Sequence, residues 1–287
     1  MSVIIPAYNA RHVIDDQLSA LAGQDYRGDW EVVVGDNRST DGLREHLASH
    51  PLREQLRLKC VEATDKQSAA HARNVAVAAS EGDLLAFCDA DDRAHPGWLS
   101  ALVECAGEFD MVSGALETTT LNDPTVATQV VTQPPEQPFV FPGFLAFANG
   151  GNCAVWRSAF DAVGGWDESF DGVAEDVEFS WRVQLAGATC GHAAGALMAC
   201  RVRGGRNALW RRSVAFGTAD PRLFKQYRAR GFSRNPLATP VLLLLLVLRN
   251  PLLPTAVTGL PRGQWLTYLG RFVGRVRGSI KYRVYFV

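Results

Sequence analysis

Three carboxylates within four positions, Asp89, Asp91 and Asp92, follow an apolar run at residues 84–88 (LLAFC). Like charges that close raise one another's pKa unless something positive sits among them. Hard oxygen ligands at the end of a strand suit Mg²⁺ or Mn²⁺ bound together with a substrate phosphate. The competing reading is an acidic surface turn after an edge strand. A second acid pair, Glu175 and Asp176, stands near the start of the stretch 173–186. If that stretch is a helix, the positive end of its dipole favours both carboxylates, which is also ordinary capping chemistry.

The elements that must position these acids follow from hydrophobic pattern. Residues 84–88 have no polar face, as expected of a central strand covered on both sides. Two more apolar runs, 2–9 (SVIIPAYN) and 30–35 (WEVVVG), also end at polar residues, Asn9 and Asp36. The segments 11–23, 43–48, 68–80 and 98–106 read as helices between strands, and 56–63 and 110–118 as further strands. Strands alternating with helices predict an α/β fold, a doubly wound and mostly parallel sheet flanked by helices. Ligands of such sheets bind past the carboxyl ends of the strands. If the three runs are neighbours, Asn9, Asp36, Asp89 and Asp91 line one crevice. Residues 122–142, rich in Pro, Thr and Gln, predict a long surface excursion. Residues 150–156 predict a strand entered through a glycine turn, and 189–202 an extended segment.

The chain has 287 residues, enough for one large domain or one domain plus an appendage. Its net charge of −1 hides an asymmetry: residues 1–200 carry 12 Lys+Arg against 29 Asp+Glu, and residues 201–287 carry 17 against one, Asp220. The basic tail has aromatics between its charges at 209–231, eight apolar residues in a row at 241–248, and Pro and Gly breaks beyond them. Such a run is far short of the roughly 20 residues a spanning helix needs. An anionic membrane surface fits this composition. No nucleic-acid motif is visible, which removes that partner. A packed helical subdomain or a homodimer contact is the alternative. The six cysteines are far apart and lack zinc spacing, so they read as free thiols of a reducing compartment. No basic leader precedes the first strand, so the expected location is cytoplasmic, with peripheral attachment at the inner face of the cell membrane.

Six segments now stand in a recognisable order: VIIPAYN, VVVGDNRSTDG, AAHARNVAVAASEGDLLAF, CDADD followed by Pro96, GGNCAVWRSAFDAVGGWDESF and AEDVEFSWRVQLAG. Together they resemble a family-2 glycosyltransferase with the GT-A fold over roughly residues 2–200. The resemblance implies a GT-A domain at 1–203, with a nucleotide-binding half at about 1–118 and an acceptor half at about 119–203. Residues 204–287 form the basic helical appendage. It implies metal-assisted, inverting transfer of a sugar from a nucleotide-diphosphate sugar, uridine being the first expectation. Asp36 matches the acid that bonds the nucleotide base, and Pro6, Ala7 and Tyr8 match the loop beside it. Arg73 matches the basic residue near the nucleotide and diphosphate. Asp89, Ala90 and Asp91 match the D-x-D element, with the first acid facing the ribose and the second the metal. Asp176 matches the general base and Glu175 its support. Trp181 and Arg182 are expected to border the acceptor site, and Gly150, Gly151 and Asn152 to shape the pocket next to the donor sugar.

The chain departs from the family where many relatives carry a metal-binding His after the acid-pair helix. Here Cys200 stands near that place and His192 lies earlier, so the third ligand is His192, Cys200 or water. The Q-x-x-R-W motif of processive synthases is absent, which implies addition of one or a few sugars. A glycan or glycolipid acceptor at a membrane is the main expectation. A soluble natural-product or protein acceptor is the alternative. A nucleotidyltransferase is a more distant one, because Pro-Ala-Tyr-Asn stands where a Gly-rich phosphate loop is needed.

Overall fold

A computed structural model describes residues 1–127, 133–170, 172–202, 205–235, 237–250 and 262–287. The chain divides into two compact units. The larger comprises Met1–Leu121, Gln133–Phe139 and Ala146–Arg201. The smaller comprises the described residues of Asn122–Thr132, Val140–Leu145 and Val202–Val287.

The larger unit is built on one eight-stranded sheet. Its strands are β1 (Ser2–Ala7), β2 (Glu31–Asp36), β3 (Lys59–Glu62), β4 (Leu84–Cys88), β5 (Arg93–Ala94), β6 (Met111–Glu117), β7 (Asn152–Trp156) and β8 (Cys190–Ala199). They lie in the order β3-β2-β1-β4-β7-β6-β8-β5. The half from β3 to β4 is parallel, as expected for strands joined by helices. Beyond β4 the sheet is mixed: β7 runs antiparallel to both β4 and β6, while β8 is parallel to β6 and antiparallel to β5. The expected strand at 56–63 is shorter, at Lys59–Glu62.

Alternate residues of each strand feed two cores. Val3, Ile5, Val32 and Val34 face α1 (Ile14–Ala22), α2 (Leu43–Ala48) and, further along, α4 (Trp98–Ala106). Ile4, Val33, Leu85 and Phe87 face α3 (Ala69–Ala78), with a four-residue helix α5 (Pro124–Ala127) intervening in sequence before α6 (Arg157–Ala162) and α7 (Glu175–Leu185) complete that layer. This is the period-2 pattern of a sheet covered on both faces. Helix α3 is Ala-rich for a reason: a Cβ on Gly35 of β2 would lie 2.4 Å from the Ala72 carbonyl oxygen. Small residues on both partners let the helix sit directly on the strand. Ser68 caps α3, its hydroxyl accepting from the His71 N–H at 3.1 Å.

Within the smaller unit, α8 (Arg206–Tyr227) and α10 (Arg262–Tyr282) pair closely, and α9 (Ala238–Leu248) lies between them in sequence. Cβ atoms on Gly217 and Gly274 would each lie within 2.2 Å of a backbone oxygen of the opposite helix. Asp220, the single acid of residues 201–287, is buried and accepts from both Arg271 and Arg275. Among the described residues no helix is long and apolar enough to cross a membrane. The second apolar stretch of the tail, 252–260, lies outside the described residues.

Candidate active site

Strand register brings the carboxyl ends of β2, β1 and β4 to one edge. Ala7 is level with Asp36, and Ile4 with Phe87, so the acids after Cys88 emerge beside Tyr8 and Asp36. Tyr8 is 54% exposed there, a ring free to stack, while Pro6 is half-buried and Ala7 buried. Asp36 is buried, and its Oδ1 accepts from the Ser39 N–H at 3.0 Å. Asn9, with φ of 51°, ties the two strand ends together: its Oδ1 accepts from Thr40 N–H at 2.8 Å and its own N–H donates to Ser39 Oγ at 2.8 Å.

Arg73 joins the two acid groups. Its Nη2 donates to Asp89 Oδ1 at 3.1 Å and its Nη1 to Glu175 Oε1 at 3.4 Å, and the guanidinium lies 4.8 Å from the centre of the Trp166 ring. The side chain is 4% exposed. Burial works against its charge, but Asp89 and Glu175 outweigh burial and keep the guanidinium protonated. Its buried Nε has no hydrogen-bond partner. Arg73 therefore underpins the acids rather than standing open to solvent.

The glycine turn covers this pair at close range. A Cβ on Gly150 would lie 3.2 Å from Arg73 Nη2, and one on Gly151 2.8 Å from Asp89 Oδ2. The Gly150 N–H donates to Asp176 Oδ2 at 3.3 Å, and the Val177 N–H to Asp176 Oδ1 at 2.9 Å. Ala174 precedes the pair with a left-handed φ of 64°, a strained cap that sets the first turn of α7. Burial raises the pKa of Asp176, with the two N–H donors and Arg73 opposing it. Glu175 is also raised, by burial and then by Asp176, against Arg73.

At the end of β4, Ala90 is buried, Asp89 and Asp91 are half-buried and Asp92 is buried. Asp92 Oδ1 accepts from the Arg201 N–H at 2.9 Å, and the Asp91 carbonyl from Arg201 Nε at 3.1 Å. Burial, then the charges of Asp89 and Asp91, push Asp92 up to about 8. Carboxylate oxygens are the ligand type a hard divalent cation takes, but among the described residues the three side chains are not gathered within ligand distance of one another, as Asp15, His46 and His50 are. Cys200 stands beside Asp92, which with burial raises its thiol. His192 lies eight residues earlier, level with Ser113 of β6 where Ala199 is level with Glu117, which is roughly 15 Å along the sheet, and its Nε2 is against the Pro135 carbonyl at 2.6 Å. Of the two expected third ligands, only Cys200 is brought to the acids.

Of three expected pocket residues, Asn152 and Trp181 are wholly buried and Arg182 is half-buried. Asn152 is wholly buried: its Oδ1 accepts from Trp98 Nε1 at 2.7 Å and its Nδ2 donates to the carbonyls of Ala115 and Ala196. It links β6, β7, β8 and α4, and Gly114 leaves the space for it. Trp181 has no exposed surface. Arg182 spends its guanidinium on both Glu178 oxygens and on the carbonyls of Val163 and Gly165, locking the turn before α7.

Sequence reasoning also passed over four supports. Gln17, buried on α1, donates to the Asp89 carbonyl at 3.5 Å and accepts from Ala94 N–H at 2.8 Å. An amide next to Leu18 on the apolar face was its signal. Arg201 read only as the first cation of the tail. Asn74 and Glu168 interlock: Asn74 Nδ2 donates to Glu168 Oε1 at 2.9 Å and to the Trp166 carbonyl, and His71 Nδ1 meets Glu168 Oε2 at 3.0 Å. This clasp holds the Trp166 ring under Arg73.

Residues 2–164 match the family described as Glycosyl transferase family 2, and residues 85–269 match Glycosyl transferase family group 2. The chain belongs to glycosyl transferase family 2. This family member is 35% identical over 111 residues to the putative teichuronic acid biosynthesis glycosyltransferase TuaG of Bacillus subtilis, covering 39% of this chain and 42% of that one. It is 35% identical over 92 residues to the UDP-Glc:alpha-D-GlcNAc-diphosphoundecaprenol beta-1,3-glucosyltransferase WfgD of Escherichia coli, covering 32% and 35%. These matches span less than half the length of either relative. The fold is that of the mannosyltransferase PcManGT from Pyrobaculum calidifontis, solved in complex with GDP-Man and Mn2+, at a TM-score of 0.62, 21% identity, and coverage of 96% of this chain and 86% of that one. Residues 1–349 of S. aureus TarS in complex with UDP-GlcNAc give a TM-score of 0.53 at 19% identity, covering 100% and 93%. The GT-A-type fold expected from the motifs is thus the fold observed.

Proposed function

We propose that this chain transfers a sugar, with inversion, from a nucleotide-diphosphate sugar to a hydroxyl of a lipid-linked glycan at the cytoplasmic face of a membrane. The observation that carries the reading is the Arg73 bridge. It joins the acid cluster after β4 and the acid pair of α7 through one guanidinium, which supports a reading in which a leaving-group site and a base serve one sugar. Asp36 and Tyr8 hold the base of the nucleotide, the first by hydrogen bond and the second by stacking. Asp89 and Asp91 would hold Mg²⁺ or Mn²⁺, which when bound neutralises the departing diphosphate. Asp176 takes the proton from the acceptor hydroxyl as its oxygen forms the new bond to the anomeric carbon. The anomeric carbon–phosphate oxygen bond breaks on the far side, and its electron pair leaves with the diphosphate. Glu175, held by Arg73, keeps Asp176 in place.

The lipid-linked acceptor is supported by the diphosphoundecaprenol in the name of WfgD. A soluble acceptor is the second reading, and it leaves the same residues in the same roles. The decisive experiment is calorimetry of UDP, GDP and their sugars with and without Mn²⁺. Metal-dependent binding of one nucleotide supports the donor site. Binding of none, in either condition, refutes the transferase reading.

A further inference from the structure

The smaller unit carries a surface that the transfer reaction does not use. Helix α9 is apolar along its length, and its faces are unequal. Leu246 is buried, and its carbonyl accepts from Trp265 Nε1 at 3.0 Å, which attaches that side of α9 to the start of α10. Leu237, Val241, Leu244 and Leu248 recur at helical spacing on the opposite side, with exposures of 66%, 52%, 57% and 61%. A face of large aliphatic side chains open to water marks a binding surface. Its surroundings in the chain identify the partner. Arg228, Arg230 and Arg249 are exposed on either side of it in sequence, as are Arg277 and Lys281 on α10. No exposed acid offsets them within residues 201–287, because Asp220 is buried and taken by Arg271 and Arg275.

We propose that the exposed face of α9 inserts into the interfacial layer of a membrane rich in anionic lipid, with the flanking arginines on lipid phosphates. Eleven helical residues are about 17 Å long, against the ~30 Å of a hydrocarbon core. The helix therefore lies in the plane of the leaflet instead of crossing it. An apolar face, with exposed basic residues flanking it in sequence, supplies the two signals that stable peripheral attachment requires together. Such attachment brings the enzyme to lipid-linked acceptors, so the inference adds a partner to the function proposed above. The surface itself stands without that function.

The test is co-sedimentation of the full chain with phosphatidylcholine vesicles containing either none or about 30 mol % phosphatidylglycerol. The double variant Leu244→Glu/Leu248→Glu and the pair Arg228→Glu/Arg249→Glu alter exposed side chains only. Unchanged circular dichroism and UDP binding check that both still fold. The expected result is binding to the phosphatidylglycerol vesicles, at least about tenfold weaker in either variant and in vesicles without the anionic lipid. Equal binding by wild type and variants, or binding indifferent to phosphatidylglycerol, overturns the proposal. So does a wild-type dimer in light scattering that the aliphatic variant splits while vesicles go unbound, which makes the face a subunit contact. A chain that binds vesicles but no nucleotide keeps the surface and loses the transferase reading.

Discussion

The two acid groups of the site sit at the two ends of one arginine, yet their chemistry differs. After β4, Asp92 is raised by burial and then by the like charges of Asp89 and Asp91. In the first turn of α7, Asp176 is raised by burial, and what surrounds it is mainly donors: the N–H groups of Val177 and Gly150, and then Arg73. The first group gathers like charges, which Arg73 offsets at Asp89 and which raise Asp92, and a bound cation would relieve them further. The second is a pair, Glu175 and Asp176, raised by burial against Arg73, and a raised Asp176 suits the proton abstraction proposed for it. Both groups meet Arg73, and the composition of their other neighbours differs.

The division breaks most visibly at Asp176. Asp176→Asn keeps the shape and the Val177 hydrogen bond but cannot accept a proton. Transfer should fall by about 10³-fold, while nucleotide affinity measured by calorimetry stays within about twofold. Lost nucleotide binding would make Asp176 a structural residue. Asp91→Ala acts on the other group. Mn²⁺ should no longer improve UDP binding, and transfer should fall by about 10²-fold. An unchanged Mn²⁺ titration would remove Asp91 from the metal site.

Two smaller effects sharpen the contrast. Gly151→Ala would put a Cβ 2.8 Å from Asp89 Oδ2 and displace that carboxylate without touching Asp176. The expected outcome is a donor KM raised by about tenfold, with kcat little changed. The raised pKa of Asp176 predicts the sign of the acid limb. The charged form is the base, and burial makes it protonate at a higher pH than the usual 3.8. Activity is present above the folded pKa and is lost as pH falls through it. A kcat/KM profile whose acid limb sits at or below the ordinary aspartate range would show that Asp176 is not the group titrating.

The parallel half of the sheet was legible because its signals are local. Residues 84–88 are apolar on both faces and are buried on both faces, and the acids that follow them had no other place to go than the sheet edge. The same is true of Asp36 and Tyr8. Long-range partners were not legible. Gln17 and Arg201 reach the acid cluster from α1 and from the end of β8, 72 and 109 positions away from the residues they hold. Trp181 and Arg182 follow the acid pair closely in sequence, but a helix turns about 100° per residue, so neighbours of a site residue face elsewhere. In the tail, the close approach of α8 and α10 rests on Gly270, Gly274 and Gly278, a small-residue repeat hidden among the arginines.

Asn152 gives the last and smallest expected effect on chemistry, and the clearest separation of site from scaffold. It follows Gly150 and Gly151 directly, yet those two touch Arg73 and Asp89 while its own amide faces Trp98, Ala115 and Ala196. Gly150 and Gly151 lie in the turn, and β7 begins at Asn152, which shares the face of Ala154 towards Trp98. Asn152→Ala leaves a buried indole N–H and two buried carbonyls short of a partner, a cost of about 3 kcal/mol or more. Denaturant unfolding should register that loss in full. Below the new melting point, kcat per folded molecule should stay within about threefold of wild type, because none of the three partners meets a reacting atom. A fall in kcat of more than about tenfold, with stability unchanged, would move Asn152 back into the donor pocket.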